Sequence, residues 1–66
     1  MIKEGLKKLK EKKISEALEF FNKLNENNPN NPDILFYIGN IYYELNDLNK
    51  SLIYFEKSYK NLPSSE

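Results

Sequence analysis

The fold is decided by residues 32–63, which read PDILFYIGNIYYELNDLNKSLIYFEKSYKNLP. In the first half, apolar side chains recur at the spacing of one helix face, at Ile34, Leu35, Ile38, Ile41, Tyr42 and Leu45. Asn46 and Asp47 interrupt that pattern, because short polar side chains favour caps and turns. A second stripe follows at Leu48, Leu52, Phe55, Tyr59 and Leu62. The stretch therefore predicts two amphipathic helices, over residues 32–45 and 48–61, joined as a hairpin.

Both ends of this hairpin carry stop signals. Asn31 is suited to cap the free N–H groups of a helix, and Pro32 fits the first helical position. Pro63 cannot continue a regular helix, because it lacks an N–H group and its ring clashes with the preceding turn. We expect residues 63–66 to fray.

The chain also repeats itself. A shift of 34 residues aligns six identical or similar pairs: Gly5 with Gly39, Ala17 with Ser51, Leu18 with Leu52, Phe21 with Phe55, Lys23 with Lys57, and Pro29 with Pro63. Six pairs in one register are hard to obtain by chance. They predict a second hairpin upstream, with helices over residues 2–12 and 15–27.

The spacing of these residues resembles the tetratricopeptide repeat, usually written W-x-x-L-G-x-x-Y … A-x-x-x-F … P. Here it runs Leu35-x-x-Ile38-Gly39-x-x-Tyr42, then Ser51-x-x-x-Phe55, then Pro63. Leu, Ile and Ser replace Trp, Leu and Ala, respectively. The resemblance implies an all-α fold, a fragment of a right-handed solenoid built from two antiparallel helical hairpins. Residues 1–66 would form one domain, with repeats over residues 1–31 and 32–66.

Composition argues against catalysis. The 66 residues contain no Cys and no His, which removes disulfides, thiolate chemistry and the usual zinc sites. The two glycines belong to the repeat and form no phosphate-binding loop. Glu16 and Glu19 are better explained by a solvated helix face than by a metal site. We expect no enzymatic activity and no cofactor. No apolar run is long enough to span a bilayer, so we expect a cytoplasmic protein.

A candidate binding surface lies opposite the apolar arc of the third predicted helix. Phe36, Asn40 and Tyr43 follow one another at i, i+4 and i+7, with Asp33 and Glu44 beside them. The family resemblance implies that this face lines a concave groove that holds a peptide or partner protein. Two other interpretations remain: scattered surface aromatics, or packing against the preceding hairpin.

A competing function comes from the first helix. Residues 1–13 contain six lysines and two glutamates, whereas residues 14–66 contain four lysines and eight acidic residues. Clustered lysines on a helix can bind nucleic acid or anionic membranes. Glu4 and Glu11 interrupt this cluster, and no aromatic side chain is present to stack on bases. A solvated face explains these lysines better than nucleic-acid binding does.

Self-association is the last expectation. Leu52 and Tyr59 lie where the resemblance places contacts with a following repeat, and these 66 residues contain no third repeat. Two repeats leave that apolar face uncovered, which predicts a homodimer. A further repeat in a longer array would also cover it.

Overall fold

Four helices in two hairpins make up the described part of the chain. The computed structural model describes residues 2–63, so the expected fraying of residues 64–66 lies outside it. The helices are α1 (Ile2–Lys10), α2 (Ile14–Asn27), α3 (Pro32–Glu44) and α4 (Leu48–Lys60), and residues 2–63 contain no strand. Each helix packs against the next one along the chain. The predicted all-α hairpins are confirmed, with boundaries shifted by at most two residues.

The turns within the two hairpins share one geometry. Lys12 and Asn46, which are 34 residues apart, both have φ 63°. After each of them a backbone N–H bonds back over the end of the helix, from Lys13 to the Lys8 carbonyl at 2.8 Å and from Asp47 to the Tyr42 carbonyl at 2.9 Å. This bond is the six-residue closure that ends many helices with a left-handed residue. The backbone conformation of the turns therefore repeats at the same 34-residue spacing as the sequence.

The helix starts differ between the hairpins. The Asn31 side chain accepts hydrogen bonds from the N–H groups of Asp33 and Ile34, and Asp47 accepts one from Lys50. Lys13, at the start of α2, makes no side-chain cap. The second hairpin thus has both helix starts capped by side chains, as its sequence predicts.

Close helix crossing explains the two glycines. A Cβ on Gly39 would lie 2.7 Å from the Phe55 ring, and a Cβ on Gly5 would collide with the Phe21 ring. These pairs are equivalent in the 34-residue register. The two glycine environments are therefore alike, as the 34-residue register implies.

The core is centred on α3 and on its contact with α2. Its fully or nearly fully buried apolar side chains are Ala17, Phe21, Ile34, Leu35, Ile38 and Ile41. The Phe21 and Tyr37 rings stack with centroids 5.4 Å apart, which fixes α3 on α2. Since α3 supplies four of these six residues, it is the central helix of the molecule. No helix within residues 2–63 is long and apolar enough to cross a membrane.

Of its apolar stripe, helix α4 packs only Phe55 closely on α3, against Gly39. Ser51 and Ser58 are buried instead, and their hydroxyls donate to the carbonyls of Gly39 (2.9 Å) and Pro32 (2.7 Å). Tyr54 extends this contact by stacking on Tyr42. Small side chains allow a close approach, and bonding to carbonyls satisfies their hydroxyls. The other members of the stripe, Leu48, Leu52, Tyr59 and Leu62, face outward.

Two further burial predictions need correction. Leu45, predicted on the buried arc of α3, is 46% exposed because it lies past the end of the helix, in the turn. Phe55 is half-buried, whereas its register partner Phe21 is fully buried. The reason is that α3 covers Phe21, and within residues 2–63 no helix covers Phe55 in the same way.

Candidate partner-binding groove

A groove of about 380 Å³ lies where the first hairpin meets α3, and we call it the inter-hairpin groove. Its first wall comes from the end of α1, the following turn and the start of α2. Its second wall is the C-terminal half of α3. The lining residues are Leu9, Lys12, Ile14, Asn40, Ile41, Tyr43 and Glu44.

The groove combines an apolar floor with a polar rim. The half-buried Leu9 and Ile14 supply this floor, and the fully buried Ile41 lies beneath it. The Tyr43 side chain is 62% exposed, so most of its ring is open to solvent. Lys12 and Glu44 are exposed and carry opposite charges. Such a site can bury an apolar side chain while polar groups orient the rest of a ligand.

Three of the five predicted groove residues come together here. Asn40, Tyr43 and Glu44 lie on adjacent turns of α3 and share the inter-hairpin groove. The Asn40 amide is half-buried and offers both a donor and an acceptor.

The other two predicted residues lie elsewhere. Phe36 is 47% exposed, and its ring centroid is 5.6 Å from that of Phe55. It lines a separate groove of about 320 Å³ with Phe55, Ser58, Tyr59 and Leu62, which we call the α4 groove. Asp33 is exposed in the first turn of α3, and its backbone N–H donates to the Asn31 side chain. Seven residues of helix separate Phe36 from Tyr43 by about 10 Å, enough to place them in different grooves.

The residues contributed by the first hairpin were not predicted. Lys12 was counted only among the lysines of residues 1–13, and Leu9 and Ile14 were assigned to no candidate site. The repeat register carried the missing signal, because Leu9 is the equivalent of Tyr43. Equivalent residues of stacked repeats lie side by side, so the residue opposite Tyr43 could have been named in advance.

The lysines of the first hairpin are interleaved with acids. The Lys8 ammonium lies 3.4 Å from the Glu16 carboxylate, and Lys13 lies 3.5 Å from Glu11. Partial neutralisation of this kind weakens the case for phosphate binding, which depends on unbalanced positive charge. The searched residues 2–63 contain no group of three acidic side chains placed to hold a metal ion.

Comparison with known families agrees with the repeat geometry. The sequence model described as tetratricopeptide repeat matches residues 20–53, just over half of the chain. The chain belongs to the tetratricopeptide repeat family. Members of this family generally mediate protein–protein interactions and are typically non-enzymatic scaffolds. No curated protein and no solved structure matches this tetratricopeptide chain at a significant level.

Proposed function

We propose that this tetratricopeptide chain is a protein-interaction module that binds a short segment of a partner protein in the inter-hairpin groove. The observation that supports this most is the meeting of Asn40 and Tyr43 with Leu9 and Ile14, across the junction of the two hairpins. The α3 wall is aromatic and polar, and the first-hairpin wall is aliphatic with Lys12 at its rim. The groove therefore exists only when the two repeats are stacked.

The size of the groove favours a peptide over a folded domain. At about 380 Å³ it lies near the lower end of the ~300–1,000 Å³ range of small-ligand sites. An apolar side chain of the peptide would lie against Leu9 and Ile14 on one side and the Tyr43 ring on the other. The Asn40 amide would bond to the peptide backbone, as side-chain amides can when they hold extended chains.

The rim charges restrict the ligand further. Lys12 comes from the turn after α1 and Glu44 from the end of α3, so opposite charges lie on the two walls. A peptide with an acidic and a basic residue flanking its apolar anchor would match both. Rim charges of this kind contribute more to selectivity and association rate than to affinity.

Selection from a display library of short random peptides would test this proposal. The best binders would be measured by fluorescence polarisation against the wild-type chain, Tyr43→Ser and Tyr59→Ser. Both tyrosines are mostly exposed, but Tyr59 lies outside the inter-hairpin groove. We expect Tyr43→Ser to weaken binding about tenfold or more, as loss of an aromatic anchor does, with Tyr59→Ser near wild type. Equal losses in both variants, with helicity retained, would count against the groove.

A further inference from the structure

The outward face of α4 carries several large exposed apolar side chains that the proposed function leaves unused. Leu48, Leu52 and Tyr59 on α4 are 56%, 60% and 77% exposed, and Leu62, two residues past its end, is 52% exposed; the half-buried Phe55 lies between them. We call these five residues the α4 stripe. The apolar α4 groove, with Phe36 on its far wall, borders the stripe.

The first hairpin shows what such a face normally contacts. On α2 the equivalents of Leu48 and Leu52 are Ile14 and Leu18, and both are half-buried where α3 packs beside them. The equivalents of Tyr59 and Leu62 are Asn25 and Asn28. Helix α4 at Tyr59, and the residue Leu62 just past its end, are thus more apolar than the equivalent positions of the hairpin that is covered. On a face that stays exposed to water we would expect polar residues in place of Tyr59 and Leu62.

The spacing of the stripe indicates that a helix covers it. Its members follow one another at intervals of four, three, four and three residues. This heptad spacing keeps a seam straight along two helices that lie nearly parallel or antiparallel. The spacing is almost the same when the stripe is followed in the opposite chain direction. Two antiparallel copies of α4 can therefore keep their stripes in contact along their whole length.

The first helix of another copy is a poor candidate for that partner. That helix would have to pack on α4 in the way that α3 packs on α2. In the α2–α3 contact, Tyr37 stacks on Phe21, and Ile38 and Ile41 belong to the same buried cluster. In α1 the equivalent positions hold Lys3, Glu4 and Lys7. Burying these charges on an apolar face without partners is unfavourable. End-to-end stacking of copies is therefore disfavoured.

We propose that two copies of this chain associate through α4, antiparallel across a two-fold axis. Side chains from the partner copy would fill the α4 groove. The exposed apolar surface of the stripe and Phe36 totals roughly 500 Å² per copy, at the upper end of patches on monomers. Two such patches bury about 1,000 Å², which falls in the class of small, reversible interfaces. The dimer is therefore a concentration-dependent one, and the inter-hairpin groove stays free in it.

Sedimentation equilibrium tests this inference with a matched set of variants. Tyr59→Glu and Leu52→Glu place a charge in the stripe, at side chains whose exposure means that little packing within the chain is lost. Ile53→Glu is the control: Ile53 is 48% exposed on the same helix, but lies about 140° around the axis from Leu48. Circular dichroism on each variant confirms that the helices persist.

The expected result is a monomer–dimer equilibrium for the wild type between about 1 µM and 1 mM, the range of weak interfaces. Each stripe variant should raise the dissociation constant at least tenfold, and Ile53→Glu should stay within about twofold of wild type, as a surface change outside the contact does. A wild-type monomer throughout this range would overturn the proposal. So would equal effects of Ile53→Glu and Tyr59→Glu, or masses that keep growing beyond two copies.

Discussion

The ring of Phe55 lies in the space that a Cβ on Gly39 would need, 2.7 Å from the ideal position of that atom. Gly39 is buried where α3 and α4 cross, and its carbonyl accepts a hydrogen bond from the Ser51 hydroxyl of α4. A helix-weakening residue is therefore retained at the centre of α3 because it allows the two helices to meet. The cost of glycine inside a helix is about 1 kcal/mol relative to alanine.

Gly39→Ala tests whether the steric cost at the α3–α4 crossing exceeds the gain in helix propensity. The new methyl group must displace an aromatic ring, which should cost about 1–3 kcal/mol and exceed the propensity gain. We expect a net loss of stability of about 1 kcal/mol in urea unfolding followed by circular dichroism. In the Phe55→Leu background the same change should cost less, because the ring is gone. Stabilisation of the wild-type chain by Gly39→Ala would show that Phe55 moves aside freely.

Phe21 and Phe55, which are equivalent in the 34-residue register, should contribute unequally to the free energy of unfolding. Phe21 is fully buried and stacks on Tyr37, whereas Phe55 is half-buried. Phe21→Ala should cost about 3–5 kcal/mol, close to the whole stability of so short a domain, and Phe55→Ala about half as much. Phe21→Leu and Phe55→Leu are milder changes that keep both variants folded for comparison. A dimer through α4 would also cover Phe55, so stability is measured at low micromolar concentration, where we expect the chain to be monomeric. Equal losses of stability in Phe21→Leu and Phe55→Leu under these conditions would mean that Phe55 is as well covered as Phe21.

The sequence was sufficient for the hairpins because its signals are local. Helix starts at Pro32 and Leu48 follow from capping side chains at Asn31 and Asp47, and the register follows from identical residues at a fixed spacing. Periodicity failed on α4, because it counts serine as polar. Ser51 and Ser58 are buried through their small size and their bonds to carbonyls, which no hydropathy pattern reports.

The candidate site could be predicted only on the wall that α3 supplies. Asn40, Tyr43 and Glu44 share a groove because consecutive turns of one helix bring them together. Phe36 fits the same helical spacing, yet it lines the α4 groove. The difference depends on how the first hairpin stacks on α3, which is a tertiary relationship.

Lys13→Asp should add the cap that α2 lacks. Its register equivalent Asp47 accepts a hydrogen bond from the Lys50 N–H at 3.2 Å, while Lys13 makes no side-chain cap. A capping carboxylate is worth about 1 kcal/mol, which in a domain of this size raises the melting temperature by about 4–8 °C.

Two controls separate the cap from other effects of Lys13→Asp. Lys13→Ala removes the exposed contact with Glu11 without adding a cap, and it should change stability little, since such pairs contribute about 0–1 kcal/mol. Asp47→Ala removes an existing cap and should lower the melting temperature. If Lys13→Asp fails to exceed Lys13→Ala, the start of α2 does not accept a cap like that of α4.

Lys12 and Asn46 precede Lys13 and Asp47 in the two equivalent turns. Lys12 and Asn46 both have φ 63°, a left-handed conformation that costs most side chains about 1–2 kcal/mol and that asparagine tolerates better. Lys12→Asn should therefore stabilise the chain by about 0.5–1 kcal/mol, and the reciprocal Asn46→Lys should destabilise it by a similar amount. Thermal melts of the two single variants and of the double swap are the measurement. Because the two turns are equivalent and distant, the swap should return close to the wild-type melting temperature. A shift of the same sign in both single variants would contradict the shared turn geometry, and with it the claim that one backbone solution closes both hairpins.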